Sequence, residues 1–125
     1  TREHAEIAVT LQDIARIMQD KGDLDAALRQ LKEVMRIKEA VFGTREHPSV
    51  AATLHAVGRI KKDKGDLDGA MKYFRETVRI LEKVYGTRDR ANIAVALGNI
   101  ARIKRDRGDL DGALKQFQEV LRIEK

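Results

Sequence analysis

Cysteine and tryptophan are both missing from this chain of 125 residues. Without cysteine, the protein forms no disulfide, binds no metal through thiolates and has no cysteine nucleophile. No apolar run approaches the roughly 18–20 residues that a membrane span requires, and the chain does not open on a basic and apolar leader. We therefore expect no membrane partner and a cytoplasmic location.

Proline and aromatic residues are also scarce, with one proline, two tyrosines and three phenylalanines. Apolar residues make up 42% of the chain and charged residues 36%, which is too apolar for intrinsic disorder. The abundant Ala, Leu, Lys and Arg favour helices. The net charge of +5 is uneven, because residues 1–43 carry −1 while 44–86 and 87–125 each carry +3. This gradient bears on binding partners rather than on the fold.

One eight-residue segment occurs three times in slightly different forms. It reads KGDLDAAL at 21–28, KGDLDGAM at 64–71 and RGDLDGAL at 107–114, so successive copies are 43 residues apart. A fixed period of 20 to 50 residues indicates a solenoid or a repeat array. The chain therefore divides into repeats 1–43, 44–86 and 87–125 of one solenoid domain. Since it begins at Thr1 inside a repeat, we expect a piece of a longer array or an engineered array.

Each repeat is predicted to form two helices, which we call A and B. In the second repeat, Pro48 suits the first position of helix A, and apolar residues follow it at helical spacing. Gly65 ends helix A, since glycine readily adopts the left-handed conformation found at helix ends. Either Asp66 or Asp68 could cap helix B, which runs on to Gly86. The eight-residue segment is thus the corner of a helical hairpin.

The same pattern in all three repeats predicts helices A at 5–21, 48–64 and 91–107, and helices B at 25–42, 68–85 and 111–125. Apolar residues at equivalent positions of these helices should form the core. The predicted buried set is Leu11, Ile14, Ala27, Leu31, Leu54, Val57, Ala70, Phe74, Leu97, Ile100, Ala113 and Phe117.

These residues resemble the tetratricopeptide repeat. Small residues occur at its helix-A position (Ala15, Gly58, Ala101) and at its helix-B position (Ala27, Ala70, Ala113). The longer helix B and the linker GTREHPSVA at 43–51 are similar to the kinesin-light-chain type of this repeat. The resemblance covers the whole chain and implies an all-α, right-handed solenoid of six antiparallel helices. It also implies a concave surface that is lined by the A helices and binds proteins.

Catalytic chemistry is not indicated. The carboxylates recur with the repeat, as Asp20, Asp63 and Asp106 do, whereas a catalytic pair is unique in a chain. His4 and His47 occupy equivalent linker positions, which is best explained by linker geometry, and His55 lacks a second ligand at helical spacing for a metal. We therefore expect a non-enzymatic protein without metal or cofactor.

The candidate binding residues lie on the A helices. Arg16, Arg59 and Arg102 occupy the same position in each repeat, and we call them the arginine ladder. One interpretation is that each arginine lines the concave groove; the other is that it only pairs with the aspartate four residues later, a weak interaction on a helix surface. The full set of predicted groove residues is Gln12, Arg16, Gln19, His55, Arg59, Lys62, Asn99, Arg102 and Arg105.

Three classes of partner follow from these features. The first is an extended, acidic peptide segment in the groove of a protein-interaction scaffold. The alternative is a structural array whose terminal helices stack end to end, with weak self-association and no dedicated peptide ligand. Nucleic acid is the third and the least favoured, because all five aromatic residues lie on the B helices, away from the surface that would have to stack bases.

Overall fold

The computed structural model describes the backbone of residues 2–125 and the side chains from residue 4 onward. Six helices follow one another with no strand between residues 2 and 125. Their bounds are α1 Arg2–Asp20, α2 Leu24–Phe42, α3 Pro48–Asp63, α4 Leu67–Tyr85, α5 Ala91–Asp106 and α6 Leu110–Glu124. The A helices are α1, α3 and α5, and the B helices are α2, α4 and α6. The predicted all-α solenoid of helix-turn-helix repeats is confirmed.

Each hairpin corner is closed by a glycine and an aspartate. Gly65 has a φ of 85°, which only glycine adopts without strain. Asp66 then caps α4 by accepting a hydrogen bond from the backbone N–H of Gly69 at 2.9 Å. Asp23 and Asp109 cap α2 and α6 in the same way. Of the two candidate aspartates, the first of each pair is therefore the cap.

Each linker between hairpins has a contact with an aromatic ring of the preceding B helix. His47 caps α3, because its Nδ1 accepts a hydrogen bond from the N–H of Ser49 at 3.0 Å, and its ring stacks on Phe42 with centroids 3.7 Å apart. In the next linker, Arg90 lies 3.8 Å from the centroid of Tyr85 and makes no cap hydrogen bond. The structural interpretation of His47 is confirmed.

For His4 the linker interpretation is wrong, since the residue lies inside α1. His47 precedes a proline, which disfavours the helical conformation of the residue before it. His4 is followed by Ala5 instead, so nothing comparable keeps it out of the helix.

Most of the predicted core is buried, with one error. Ile14 is 37% exposed, although the equivalent Val57 and Ile100 are each only 3% exposed. Val57 and Ile100 belong to core clusters that include residues of the preceding B helix, whereas α1 has no preceding B helix among the described residues 2–125. Leu11 and Phe117, on the two terminal helices, are half-buried. The apolar pattern correctly predicted which face of each helix is apolar. Whether that face is buried depends on whether a neighbouring hairpin covers it.

The hairpins are joined by apolar packing and by a repeated ion pair. Phe74 and Met71 of α4 share one cluster with Ile93 and Ile100 of α5. At the rim of the junctions, Lys64 pairs with Asp25 and Arg107 pairs with Asp68. Both pairs connect the end of one A helix to the start of the preceding B helix, so successive hairpins meet in the same way.

Candidate functional site

The nine predicted groove residues all lie on the A helices, as expected from their period. Gln12, Arg16 and Gln19 are on α1, His55, Arg59 and Lys62 on α3, and Asn99, Arg102 and Arg105 on α5. The three ladder arginines are exposed, whereas His55 and Asn99 are half-buried. The set therefore combines exposed cations with half-buried polar groups.

Arg16 and Arg59 border the same surface depression. It has a volume of about 180 Å³ and lies between α1 and α3, where Gln12, Asp13 and Gln19 also line it, so its rim carries two cations and one carboxylate. The floor includes Ala15 and Leu31, both of which are almost fully buried. Two ladder arginines from successive repeats thus face one cavity with an apolar floor.

Neither arginine is held by the aspartate that follows it. Within residues 4–125, no hydrogen bond or ion pair joins Arg16 to Asp20 or Arg59 to Asp63. Arg16 and Arg59 also have no other hydrogen-bonded or ion-pair partner among the described side chains. Their guanidinium groups are therefore available to an external carboxylate.

Arg102 differs from the other two because it is tied to its neighbours. Its Nη1 donates to Oδ1 of Asn99 at 3.3 Å, and Nδ2 of Asn99 lies 3.3 Å from Nε2 of His55. The bond from Arg102 orients the Asn99 amide, so the Asn99 N–H₂ group is the donor and Nε2 of His55 the acceptor. This chain of hydrogen bonds connects α5 to α3.

His55 is held in its neutral form. Burial, and secondarily the positive charge of Arg59, lowers the pKa of His55 to about 4. Its ring lies 5.2 Å from that of Phe74 in a tilted arrangement. Within the described part of the chain, no group of three or more His, Cys, Asp or Glu side chains could hold a metal ion. At neutral pH, His55 can therefore serve the site as a hydrogen-bonding ring.

Gln12 has an internal partner that the sequence analysis missed. Oε1 of Gln12 accepts a hydrogen bond from Nζ of Lys38 at 3.1 Å. The same ammonium donates to the backbone oxygen of Ser49 at 3.1 Å and to Oγ1 of Thr53 at 2.7 Å. Burial lowers the pKa of Lys38. The only signal in the sequence is that a lysine occupies a position where the next repeat has Leu81.

The remaining predicted residues are arranged less tightly. Arg105 contacts the adjacent Asp106, with Nε and Oδ1 3.5 Å apart, and Lys62 is half-buried.

A second depression, of about 230 Å³, lies between α3 and α5. Its lining is mostly apolar and includes His55, Leu81 and Val95. The A-helix surface thus has a polar depression near α1 and an apolar one near α5.

Comparison with known proteins assigns the family. Residues 49–125 match the tetratricopeptide-repeat family, and residues 7–49 match a second form of the same repeat. The chain belongs to the tetratricopeptide-repeat family. No curated protein matches this tetratricopeptide-repeat chain. In residues 2–125, no helix combines the length and the apolar character that crossing a membrane requires.

Several solved structures share the fold of this tetratricopeptide-repeat chain. A putative kinesin light chain with nearly identical repeats from Podosopora anserina has a TM-score of 0.78 and is 23% identical, over 99% of this chain and 58% of the other. BtubC from P. vanneervenii has a TM-score of 0.84 at 20% identity, over 96% of this chain and 46% of the other. The chain thus spans about half the length of these structures. The N-terminal domain of stress-induced protein-1 from C. elegans has a TM-score of 0.74 at 12% identity, over 96% of this chain and 86% of the other.

Proposed function

We propose that this protein is an interaction scaffold that binds an extended, acidic peptide segment along the surface formed by α1, α3 and α5. Tetratricopeptide repeats indicate a protein-interaction scaffold. The acidic character of the ligand is our inference from the arginine ladder. One observation carries it: Arg16 and Arg59, from successive repeats, border one depression and have no acidic partner among residues 4–125.

The spacing of the repeats supports an extended ligand. Packed helices lie roughly 8–10 Å apart, and three residues of extended chain span about 10 Å. Acidic side chains three residues apart on a peptide could therefore meet Arg16 and Arg59 in turn. A guanidinium group suits a carboxylate because two parallel hydrogen bonds form at once.

Arg102 has a different role in this proposal. Because Asn99 holds it, its guanidinium is positioned before a ligand arrives and loses less conformational freedom on binding. Lys62 and Arg105 add positive charge on the same helices. Attraction between these cations and an acidic peptide weakens as salt screens it, so affinity should fall with ionic strength.

Replacing Arg59 with alanine tests the proposal. The probe is a synthetic extended peptide with glutamate at every third position, and calorimetric titration measures its affinity. We expect the Arg59→Ala variant to bind about 5- to 30-fold more weakly, which corresponds to the roughly 1–2 kcal/mol of a charge-assisted hydrogen bond. Arg59 is exposed, so folding stability should change by less than about 0.5 kcal/mol.

Arg29→Ala provides the matched control. Arg29 is also exposed but lies on α2, a B helix, so this variant loses the same charge from a different surface. It should bind the acidic peptide within about twofold of the parent protein, since only long-range attraction changes. Equal losses in the two variants would contradict a groove site, as would equal binding of the acidic peptide and a neutral peptide.

A further inference from the structure

The half-buried charge of Lys38 is not balanced by a carboxylate. Its Nζ donates to Oε1 of Gln12, to the backbone oxygen of Ser49 and to Oγ1 of Thr53, all of which are uncharged. Among residues 4–125, Lys38 forms no ion pair. A charge that is removed from water without a counter-ion is costly, so this lysine weakens the fold unless the charge is used elsewhere.

The fold accepts an apolar side chain at this position. The equivalent residue of the second repeat is Leu81, which is 3% exposed. The hydroxyl partner changes together with it, because Ala96 stands in the third repeat where the second has Thr53. Lysine and threonine thus occur together where α1 meets α3, and leucine and alanine occur together where α3 meets α5. Packing of the hairpins therefore does not require the ammonium group.

Lys38 fixes the orientation of the Gln12 amide. An ammonium group only donates, so the atom of Gln12 that faces it is the acceptor Oε1. The other end of the amide is Nε2, a donor that has no hydrogen-bond partner among residues 4–125. Gln12 also lines the depression that Arg16 and Arg59 border. The depression therefore has an oriented N–H₂ donor beside its two guanidinium groups.

The charges around this depression favour an anionic ligand more strongly once Lys38 is included. Arg16 and Arg59 against the carboxylate of Asp13 leave a net charge of +1 on the lining. Lys38 lies one hydrogen bond behind Gln12 and raises this charge to +2. Because Lys38 is half-buried, salt screens its attraction less than that of the exposed arginines.

We infer that Lys38 is a positioning residue of the peptide site: it holds the Gln12 amide so that Nε2 donates to an acidic side chain of the ligand, and its own charge attracts that side chain. This role rests on the proposed function, because the ligand carboxylate is the one that Arg16 and Arg59 bind. The same carboxylate is the counter-ion that Lys38 lacks in the free protein. Lys38 therefore stabilises the complex rather than the fold.

Replacing Lys38 with leucine, the residue of the second repeat, separates binding from folding. Calorimetric titration with the peptide that has glutamate at every third position should show about three- to tenfold weaker binding, as for the loss of one hydrogen bond. The urea midpoint of unfolding should stay the same or rise, because an unbalanced charge leaves a half-buried position. Unchanged affinity would overturn the role of Lys38.

Lys38→Met repeats the test with an unbranched side chain that fits the path of the lysine. It should also bind the acidic peptide more weakly without loss of stability. A lower unfolding midpoint in both variants would show that the fold needs the ammonium group and would overturn the assignment.

Lys32→Leu is the matched control for Lys38→Leu. Lys32 lies on the same helix, α2, is exposed and has no hydrogen-bonded or ion-pair partner among the described side chains. This variant should bind the acidic peptide within about twofold of the parent, since only long-range attraction changes. Equal losses in the two variants would show a general effect of charge and would contradict a specific role of Lys38.

A double-mutant cycle tests whether Lys38 acts through Gln12. Gln12→Ala removes the amide and should weaken binding about as much as Lys38→Leu. In the double variant, the loss should be clearly smaller than the product of the two single losses, because both substitutions remove the same oriented donor. Single losses that simply multiply would overturn the positioning role.

Arg59→Ala distinguishes this role from the proposed function. If Arg59→Ala weakens binding and Lys38→Leu does not, the acidic-peptide site stands and the role of Lys38 is overturned. If the parent protein binds the acidic peptide and a neutral peptide equally, the proposed function fails and the role of Lys38 fails with it. Weaker binding by both variants, with unchanged or higher stability of Lys38→Leu, is the result we expect.

Discussion

Gly58 shows how one missing side chain adapts a repeat to its neighbour. A Cβ atom on Gly58 would lie 2.8 Å from Cε1 of Phe74, a ring that is completely buried. The first hairpin has Ala15 and Leu31 at these positions, a larger helix-A residue with a smaller helix-B one. In the second hairpin, the glycine leaves space for a phenylalanine that is fully buried, whereas Phe117, which accompanies Ala101 in the third hairpin, is only half-buried.

Gly58→Ala should destabilise the protein even though alanine favours a helix by about 1 kcal/mol over glycine. Overpacking typically costs about 1–3 kcal/mol, and the buried Phe74 ring has little space to move. In a Phe74→Leu background, the same substitution should become neutral or stabilising, because the second hairpin would then match the first. Denaturant unfolding of the four variants measures this coupling, and additive effects would show that the close approach carries no strain.

For single residues, the sequence predicted the helix on which each groove residue lies better than the hydrogen-bond partners of its side chain. The period placed all nine candidate groove residues on the A helices. It could not distinguish Arg102 from Arg16 and Arg59, because the distinction depends on Asn99, whose equivalents in the other repeats are Asp13 and Ala56. It also missed Lys38, a residue of α2 whose partners come from α1 and α3.

The helices α3 and α5 are linked through an uncharged imidazole, which makes their contact sensitive to acid. In the unfolded chain, a histidine takes up a proton near pH 6.5, whereas burial keeps folded His55 neutral until about pH 4. Between these values the unfolded state binds more protons than the folded state. Stability therefore falls as the pH is lowered through this window and is independent of this group above it.

Replacing His55 with glutamine should remove this dependence. We expect the free energy of unfolding of the parent to drop between about pH 6.5 and pH 4, and that of His55→Gln to drop less over the same range. Urea unfolding at several pH values measures both. Hydrogen bonds from Lys64 and Arg79 hold the pKa of Asp25 and Glu76 below the usual range. Protonation of these folded-state carboxyls therefore affects the free energy of unfolding at lower pH. Parallel pH profiles for the two proteins would contradict the role of His55.

Helix limits were largely readable from the sequence, because glycine and aspartate at the corners act locally. Gly65 and Asp66 lie between α3 and α4 as expected. The start of α1 was placed too late, because the pattern treated His4 as the equivalent of His47. His47 owes its extended conformation to Phe42 and Pro48, which lie outside the segment TREH that residues 1–4 and 44–47 share.

Burial is distributed unevenly over the molecule as a whole. The central helices α3 and α4 each contain seven buried residues, whereas Ala113 is the only buried residue of α6. Among residues 2–125, the first and third hairpins each pack against one other hairpin, whereas the second packs against two. This difference could not be derived from the repeat pattern alone, since equivalent residues of different repeats have the same character but different surroundings.

Hydrogen exchange on a dilute, monomeric sample should reflect this distribution. Local opening costs less where few apolar contacts are lost, so amides in α6 should exchange faster than those in α3 and α4. Exchange followed by mass spectrometry of peptides from each helix makes the comparison. Uniform protection across the six helices would instead indicate that the three hairpins open as a single unit.

The packing of each helix chiefly against its neighbours in sequence also bears on how the chain reaches this structure. The substantial helix contacts run from α1 to α2, α2 to α3 and so on to α6. Folding then requires the closure of short loops only. Proteins whose contacts are local in sequence in this way fold rapidly. A hairpin can form before either neighbour is in place, and structure can spread from it in both directions. A hairpin could consequently be added or removed without changing the contacts through which the remaining hairpins form.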